Sequence, residues 1–191
     1  KSNPKKIIIH TGSTLMNDYK KVTLEHLVLQ IESGSRPRGG AKNIEGVYSI
    51  GAEHLNKEGG FSFKRPKYIS GGYYKKLKKG IVKDRCILMV KDGVTTGRVS
   101  FVDKENNFPF KNAAINEHVF QLNIDHTKAL SKYVFYYLYS KEGQDTVLKN
   151  FRDSTVGGIT RDFIHHVTIP LPSLSKQQKI VHLLNEANEL R

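Results

Sequence analysis

The sequence predicts an α+β domain, a twisted and mostly antiparallel sheet with few helices, followed by a C-terminal helix of coiled-coil type. Three observations predict it. Between residues 35 and 125, short apolar runs alternate with Gly, Pro and Asn, the texture of short strands joined by turns. Residues 129–149 contain no proline and only one glycine, Gly143, as a helix requires. Near the C-terminus, Ile180, Leu183, Ala187 and Leu190 recur at spacings of three, four and three, the seam of a coiled-coil helix.

Taken in order, residues 1–19 read as an irregular N-terminal extension, with Ile7-Ile8-Ile9 able to add an edge strand. Residues 20–172 form the main domain. Thr23 is placed as an N-cap, and Leu24, Leu27, Val28 and Ile31 follow at i, i+3, i+4 and i+7, with Gly34 as a stop. That spacing predicts an amphipathic helix over 24–32. Val47–Ile50, Phe61–Phe63, Cys86–Val90, Val99–Val102 and Val119–Leu122 read as strands. Asp92-Gly93 marks a turn between two of them, and Lys104-Glu105-Asn106-Asn107 closes another. The aromatic run Tyr133–Tyr139 sits at helical spacing and is expected in the core, not as a base-stacking platform. Phe163–Ile169 reads as a strand, and Pro170-Leu171-Pro172 as a rigid exit from the domain. Residues 173–191 then begin a helix, with Ser175-Lys176-Gln177-Gln178 as its capping box. So short a helix is marginal alone, so Ile180, Leu183, Leu184, Ala187 and Leu190 are expected to meet a partner helix.

The composition closes several functional classes. One cysteine, Cys86, leaves no internal disulfide or multi-cysteine metal site and suits a reducing compartment; its apolar surroundings place it in the core. No run approaches the roughly 20 apolar residues of a membrane span, and no secretory signal opens the chain. Gly34–Ala41 has the spacing of a phosphate-binding P-loop, but Gly40 stands where lysine is needed and the segment follows a helix on this reading. Asn107-Phe108-Pro109-Phe110 approaches the Asn-Pro-Pro-aromatic tetrapeptide of amino-methyltransferases, with its proline displaced. His165-His166, if in a strand, would face opposite sides and could not share a metal. No catalytic residue and no metal ligand is therefore assigned.

The net charge of +13 is unevenly spread. Residues 57–85 carry ten Lys and Arg against two acids, more than half of the excess. Phe61, Phe63, Tyr68, Tyr73, Tyr74 and two Gly-Gly pairs interleave with them. Cations for phosphates, rings for bases and glycines for close approach together point to nucleic acid.

Pro170–Val181 brings a resemblance into view. A Pro-Leu-Pro exit, then Ser-Lys-Gln-Gln and a heptad helix, resembles the junction between target recognition domain and spacer helix in type I restriction–modification specificity subunits. Ile31-Glu32-Ser33-Gly34-Ser35-Arg36-Pro37 resembles the opening of that family's recognition domains. Tyr48–Leu55 resembles the strand that follows, and Leu77–Gly80, Ile87-Leu88 and Gly93–Val99 the later glycine-punctuated run. The ordered set covers about residues 20–190. The resemblance implies a reader of double-stranded DNA without chemistry of its own, in a prokaryotic cytoplasm. Its partners would be methyltransferase subunits, which use S-adenosylmethionine, and restriction subunits, which use ATP and Mg2+; this chain itself would bind no cofactor. Full-length members carry two recognition domains separated by long helices. One such domain implies a half-subunit that pairs with its own copy, reading a palindromic split site, or a part of a longer subunit.

On this reading Lys64, Arg65, Lys67, Lys75, Lys76, Lys78 and Lys79 neutralise phosphates, with Lys42 beside them. Arg36 and Arg38 read guanine, and Tyr73 or Tyr74 packs against bases. Thr95, Thr96, Arg98, Arg152 and Arg161 are secondary candidates. An RNA-binding protein, and the recognition domain of a single-chain restriction–methylation enzyme, are the alternatives.

Overall fold

Ile87-Leu88-Met89-Val90 are all fully buried, which a strand achieves only with a layer packed on each face. The computed structural model that shows this describes residues 19–42, 45–149 and 157–189. Ile7–Ile9, Arg152 and Leu190 lie outside the described residues. The strands are β1 (Lys21–Thr23), β2 (Val28–Ser33), β3 (Val47–Ile50), β4 (Tyr68–Ile69), β5 (Ile87–Val90), β6 (Val99–Phe101), β7 (Ala113–Ile115), β8 (Val119–Ile124) and β9 (Thr168–Pro170). The described helices are α1 (Gly71–Lys76), α2 (Ser131–Tyr139), α3 (Lys141–Leu148), α4 (Phe163–His166) and α5 (Leu174–Glu189).

The strands form three sheets, not one. β2-β8-β5-β6 is a four-stranded antiparallel sheet, β4-β3-β7 has three strands with β3 and β7 parallel, and β1 pairs with β9. β5 divides the core by alternation. Ile87 and Met89 join Leu24, Leu27, Phe120, Leu122, Tyr133, Leu138 and Phe163 on one side. Leu88 and Val90 join Tyr48, Ile50, Leu55, Phe108 and Ile115 on the other. Burying each such side chain stabilises the fold by about 1.5–3 kcal/mol. Tyr133, Phe135 and Tyr137 are buried, so the aromatic run is core as expected.

Several local expectations give way to tertiary pairing. The predicted helix over 24–32 is instead a 3-10 turn at Leu24–His26 followed by β2. Its i, i+3 pair Leu24 and Leu27 is buried, but from 28 onward the chain finds its hydrogen bonds on β8, with a bulge between Val28 and Gln30. Gly34 consequently stops no helix. Phe61–Phe63 makes one isolated bridge, Leu55 to Phe61, and is not a strand; its rings meet Phe108 and Phe110 edge to face instead. The helix over 129–149 is broken at Ser140, whose hydroxyl caps α3 by accepting from Gly143 N–H. Phe163–Ile169 is α4 and then β9, so His165 and His166 sit on a helical turn and not on opposite faces of a strand. The capping box also fails, because α5 starts at Leu174, ahead of Ser175. Gln177 is fully buried instead: its Oε1 accepts from Leu130 N–H at 2.8 Å and its Nε2 donates to Pro172 O at 2.9 Å. Ile180 and Val181 pack on the core, Asn185 and Asn188 reach the Tyr136 hydroxyl, and Leu183 faces solvent.

Candidate nucleic-acid interface

Register places four strand termini at one end of the central sheet. Ser33 pairs with Phe120, Val90 with Val119 and Met89 with Val99. From that end emerge the 34–42 loop, the 91–98 loop between β5 and β6, and the Asn116–His118 connection into β8. Ile159 N–H donates to Lys91 O, and Gly158 bridges Asp92, so the segment leading to Arg161 arrives there too.

A buried polar network fixes the basic segment to the same end. Glu32 Oε2 accepts from Gly80 N–H at 3.0 Å and from Gln121 Nε2 at 3.2 Å, while its Oε1 accepts from Gln30. Gln121, fully buried, also serves Ile81 O and Lys83 N–H. A buried carboxylate is tolerated only when satisfied in this way. Gly80 thus hangs from β2, and the chain before it, α1 and Leu77–Lys79, is carried with it. Ser70 caps α1 by accepting from Tyr73 N–H, and Tyr73 Oη donates to Ser35 Oγ at 3.1 Å. Helix α1 is therefore braced against the 34–42 loop.

The structure sorts the candidate residues. Tyr73 is brought onto Ser35, next to Arg36, while Arg38 is exposed further along the same loop. Gly39 and Gly40 have φ of 88° and 81°, a left-handed turn that glycine adopts without penalty. With Ser35, Arg36, Pro37 and Glu117 they line an open hollow of about 510 Å3. Arg36 is not free in it: Nε stands 2.5 Å from Glu117 Oε1. Arg38, Lys42, Lys64, Arg65, Lys75, Lys76, Lys78, Lys79 and Arg161 are exposed with no acidic partner among the described residues. Tyr74 is half-buried on α1. Lys42 pairs its backbone with Tyr68, and the carbonyl of Arg65 takes the Nε2 proton of fully buried His54, whose Nδ1 accepts from Gly51 N–H. Lys67 is engaged by Glu53 at 2.9 Å. Burial opposes the Glu53 charge, but that ammonium, a backbone N–H and His54 hold its carboxyl below its ordinary range.

Thr95, Thr96 and Arg98 belong to a second, smaller hollow of about 270 Å3, with Lys57, Val99, Tyr139 and Gln144. Arg98 donates there to Leu55 O at 2.9 Å, a structural bond that leaves it less suited to reading. No sequence pattern marks Glu117, His118 or Asp92, which join the loops: His118 Nδ1 lies 2.5 Å from Asp92 Oδ1 and its Nε2 lies 3.5 Å from Glu117 Oε1. Only their place between two strand runs, at Asn116–His118 and at the Asp92 turn, could have marked them. Among the described residues no cluster of His, Cys, Asp and Glu is placed to hold a metal, and no helix is long and apolar enough to cross a membrane.

A family model for the type I restriction modification DNA specificity domain matches residues 8–189. A search of curated proteins finds no match. Among solved structures, the fold is similar to a chain from work on complex assembly and conformational transition of the type I R-M system, with a TM-score of 0.69 and 15% identity over 97% of this chain and 44% of that one. It is also similar to a type I restriction–modification S subunit from M. genitalium (TM-score 0.61, 17% identity, 91% and 40% covered). The HsdS subunit from Thermoanaerobacter tengcongensis gives 0.64 and 15%, with 97% and 43% covered. The chain spans less than half the length of each of these structures.

Proposed function

The chain belongs to the type I restriction modification DNA specificity domain family, and from that premise we propose that it reads a sequence in double-stranded DNA for a type I restriction–modification complex. Residues 20–172 would be the reading unit and 173–191 the start of a spacer or dimerisation helix. One observation carries the reading. The segments holding Arg36, Arg38, Tyr73 and Arg161 are gathered at one end of the central sheet, beside Lys75, Lys76, Lys78 and Lys79, which are exposed and without an acidic partner among the described residues. The lysines supply affinity for phosphate without regard to sequence, and the arginine loop supplies donors for base edges. The chain contributes no catalytic group; S-adenosylmethionine, ATP and Mg2+ would be held by methyltransferase and restriction subunits in the cytoplasm. A second reading unit, on a copy of this chain or on a longer one, would sit beyond α5, whose Leu183 is 63% exposed.

Selection from random-sequence duplex DNA, with the methyltransferase subunit present, tests this. Enrichment of one defined half-site supports it. Equal retention of all duplexes, or preference for structured RNA over duplex DNA, rejects it.

A further inference from the structure

We infer that Glu117 is a positioning residue that orients Arg36 for guanine. The inference rests on the DNA-reading function proposed above and adds a determinant that faces the 34–42 loop from the connection between β7 and β8.

An arginine can meet an anion side-on, through Nε and one terminal nitrogen, or end-on, through the two terminal nitrogens. The end-on fork matches O6 and N7 of guanine in the major groove. In this structure Glu117 Oε1 covers the Nε side of Arg36. No acidic residue other than Glu117 pairs with Arg36 among the described residues, and the side chain, which lines the hollow, is 42% exposed. Glu117 thus obstructs the side-on approach, which suits phosphate, while Arg36 Nη1 lies beside Gly40 at the hollow.

Glu117 is itself held in place. Its carbonyl accepts from Ser33 Oγ at 3.3 Å, Asn116 N–H donates to Ile50 O, and His118 N–H donates to Asn116 Oδ1. His118 in turn engages Asp92. The Arg36 side is equally fixed, by Tyr73 on Ser35 and by the Gly39-Gly40 turn, where Gly40 N–H donates to Pro37 O. Glu117 Oε2 is buried with no hydrogen-bond partner among the described residues, so Oε1, between Arg36 and His118, carries the carboxylate's contacts. Both halves are thus built before DNA arrives, which lowers the ordering cost of a bidentate contact.

The test compares the full chain with Glu117→Ala, Glu117→Gln and Arg36→Lys, each checked for folding by thermal melting. Duplex selection is followed by binding to selected and random duplexes over a range of salt. Guanine preference at one position is expected to fall by roughly tenfold in Glu117→Ala, on the order of one bidentate contact. Binding to random duplex should hold or tighten, with the salt slope steeper by about one, since a cation has been released to phosphate. Glu117→Gln keeps Oε1 and should recover part of the preference. Arg36→Lys lacks the fork and should lose the same position, which keeps the test open if Glu117→Ala does not fold. Equal weakening on both duplexes, or loss of different positions in the Glu117 and Arg36 variants, overturns the inference. A wild-type chain that selects no sequence overturns the DNA-reading function itself, a result distinct from any of these.

Discussion

Gly34 and Gly80 meet backbone to backbone where the 34–42 loop leaves β2. A β-carbon on Gly80 would stand 2.8 Å from Gly34 Cα, and one on Gly34 only 1.8 Å from the carbonyl oxygen of Ile115. Three chain segments, from β2, from the basic stretch and from β7, therefore cross with no room for a methyl group. Gly34→Ala is expected to destabilise the fold by about 3 kcal/mol, because the obstacle is backbone and cannot swing aside. Urea unfolding monitored by circular dichroism checks this; a midpoint equal to wild type would contradict the crossing.

Arg36→Ala and Lys76→Ala should fail in different ways. Loss of Arg36 is expected to cost about 1–3 kcal/mol on the selected duplex and little on random DNA. Loss of Lys76, exposed at the end of α1, should weaken both alike and flatten the salt slope by about 0.9. Fluorescence anisotropy at several salt concentrations separates the two, and equal losses for both variants on both duplexes would refute the division of labour.

Gln177 ties α5 to the body of the domain through the backbone of Leu130 and Pro172. Gln177→Leu keeps the bulk and removes the bonds, leaving a buried N–H and a buried carbonyl unsatisfied. A loss of about 2–3 kcal/mol follows. Hydrogen exchange should rise first at Leu130 and along the start of α5, before the strands of the central sheet.

Alkaline pH should loosen the fold from its interior. Burial pushes the Cys86 thiol up to about 12 from an ordinary 9.0. Burial, with Tyr68 and Glu53 nearby, lifts the Tyr48 phenol to about 12 from 10.0, and burial beside Glu142 does the same for Tyr137. Each group holds its proton in the folded chain after the unfolded chain has lost it. The stability they support is therefore whole below about pH 9 and is lost as pH rises toward 12. Urea midpoints should be flat up to that point and fall beyond it. Cys86 should resist iodoacetamide in the folded chain and react on unfolding.

How much of this was legible depends on where the hydrogen bonds go. Strands rich in buried apolar residues, such as Ile87–Val90 and Val119–Leu122, announce themselves, and so does the aromatic core of α2. Leu24, Leu27, Val28 and Ile31 mislead because helical spacing is satisfied by chance across a turn and a bulged strand. The pairing of Ile31 with Leu122, 91 residues away, outweighs a weak local preference. The basic segment was visible as charge, and Arg36 and Arg38 as donors on a glycine turn. The partners that aim them were not: Glu117 lies 81 positions from Arg36, and Gly80 meets Glu32 across 48. Lys67 reads in sequence like its neighbours, and only the fold reveals that Glu53 has already claimed it.

The Glu32–Gln121–Gly80 network has a consequence for how such a protein can change. It lies under the loops and contains none of the residues assigned to base reading. Substitutions at Arg36, Arg38 or Tyr73 alter what is displayed while the anchorage beneath stays intact. On the proposed function, drift at the rim would change the target while selection on foldability acts on a separate set of positions.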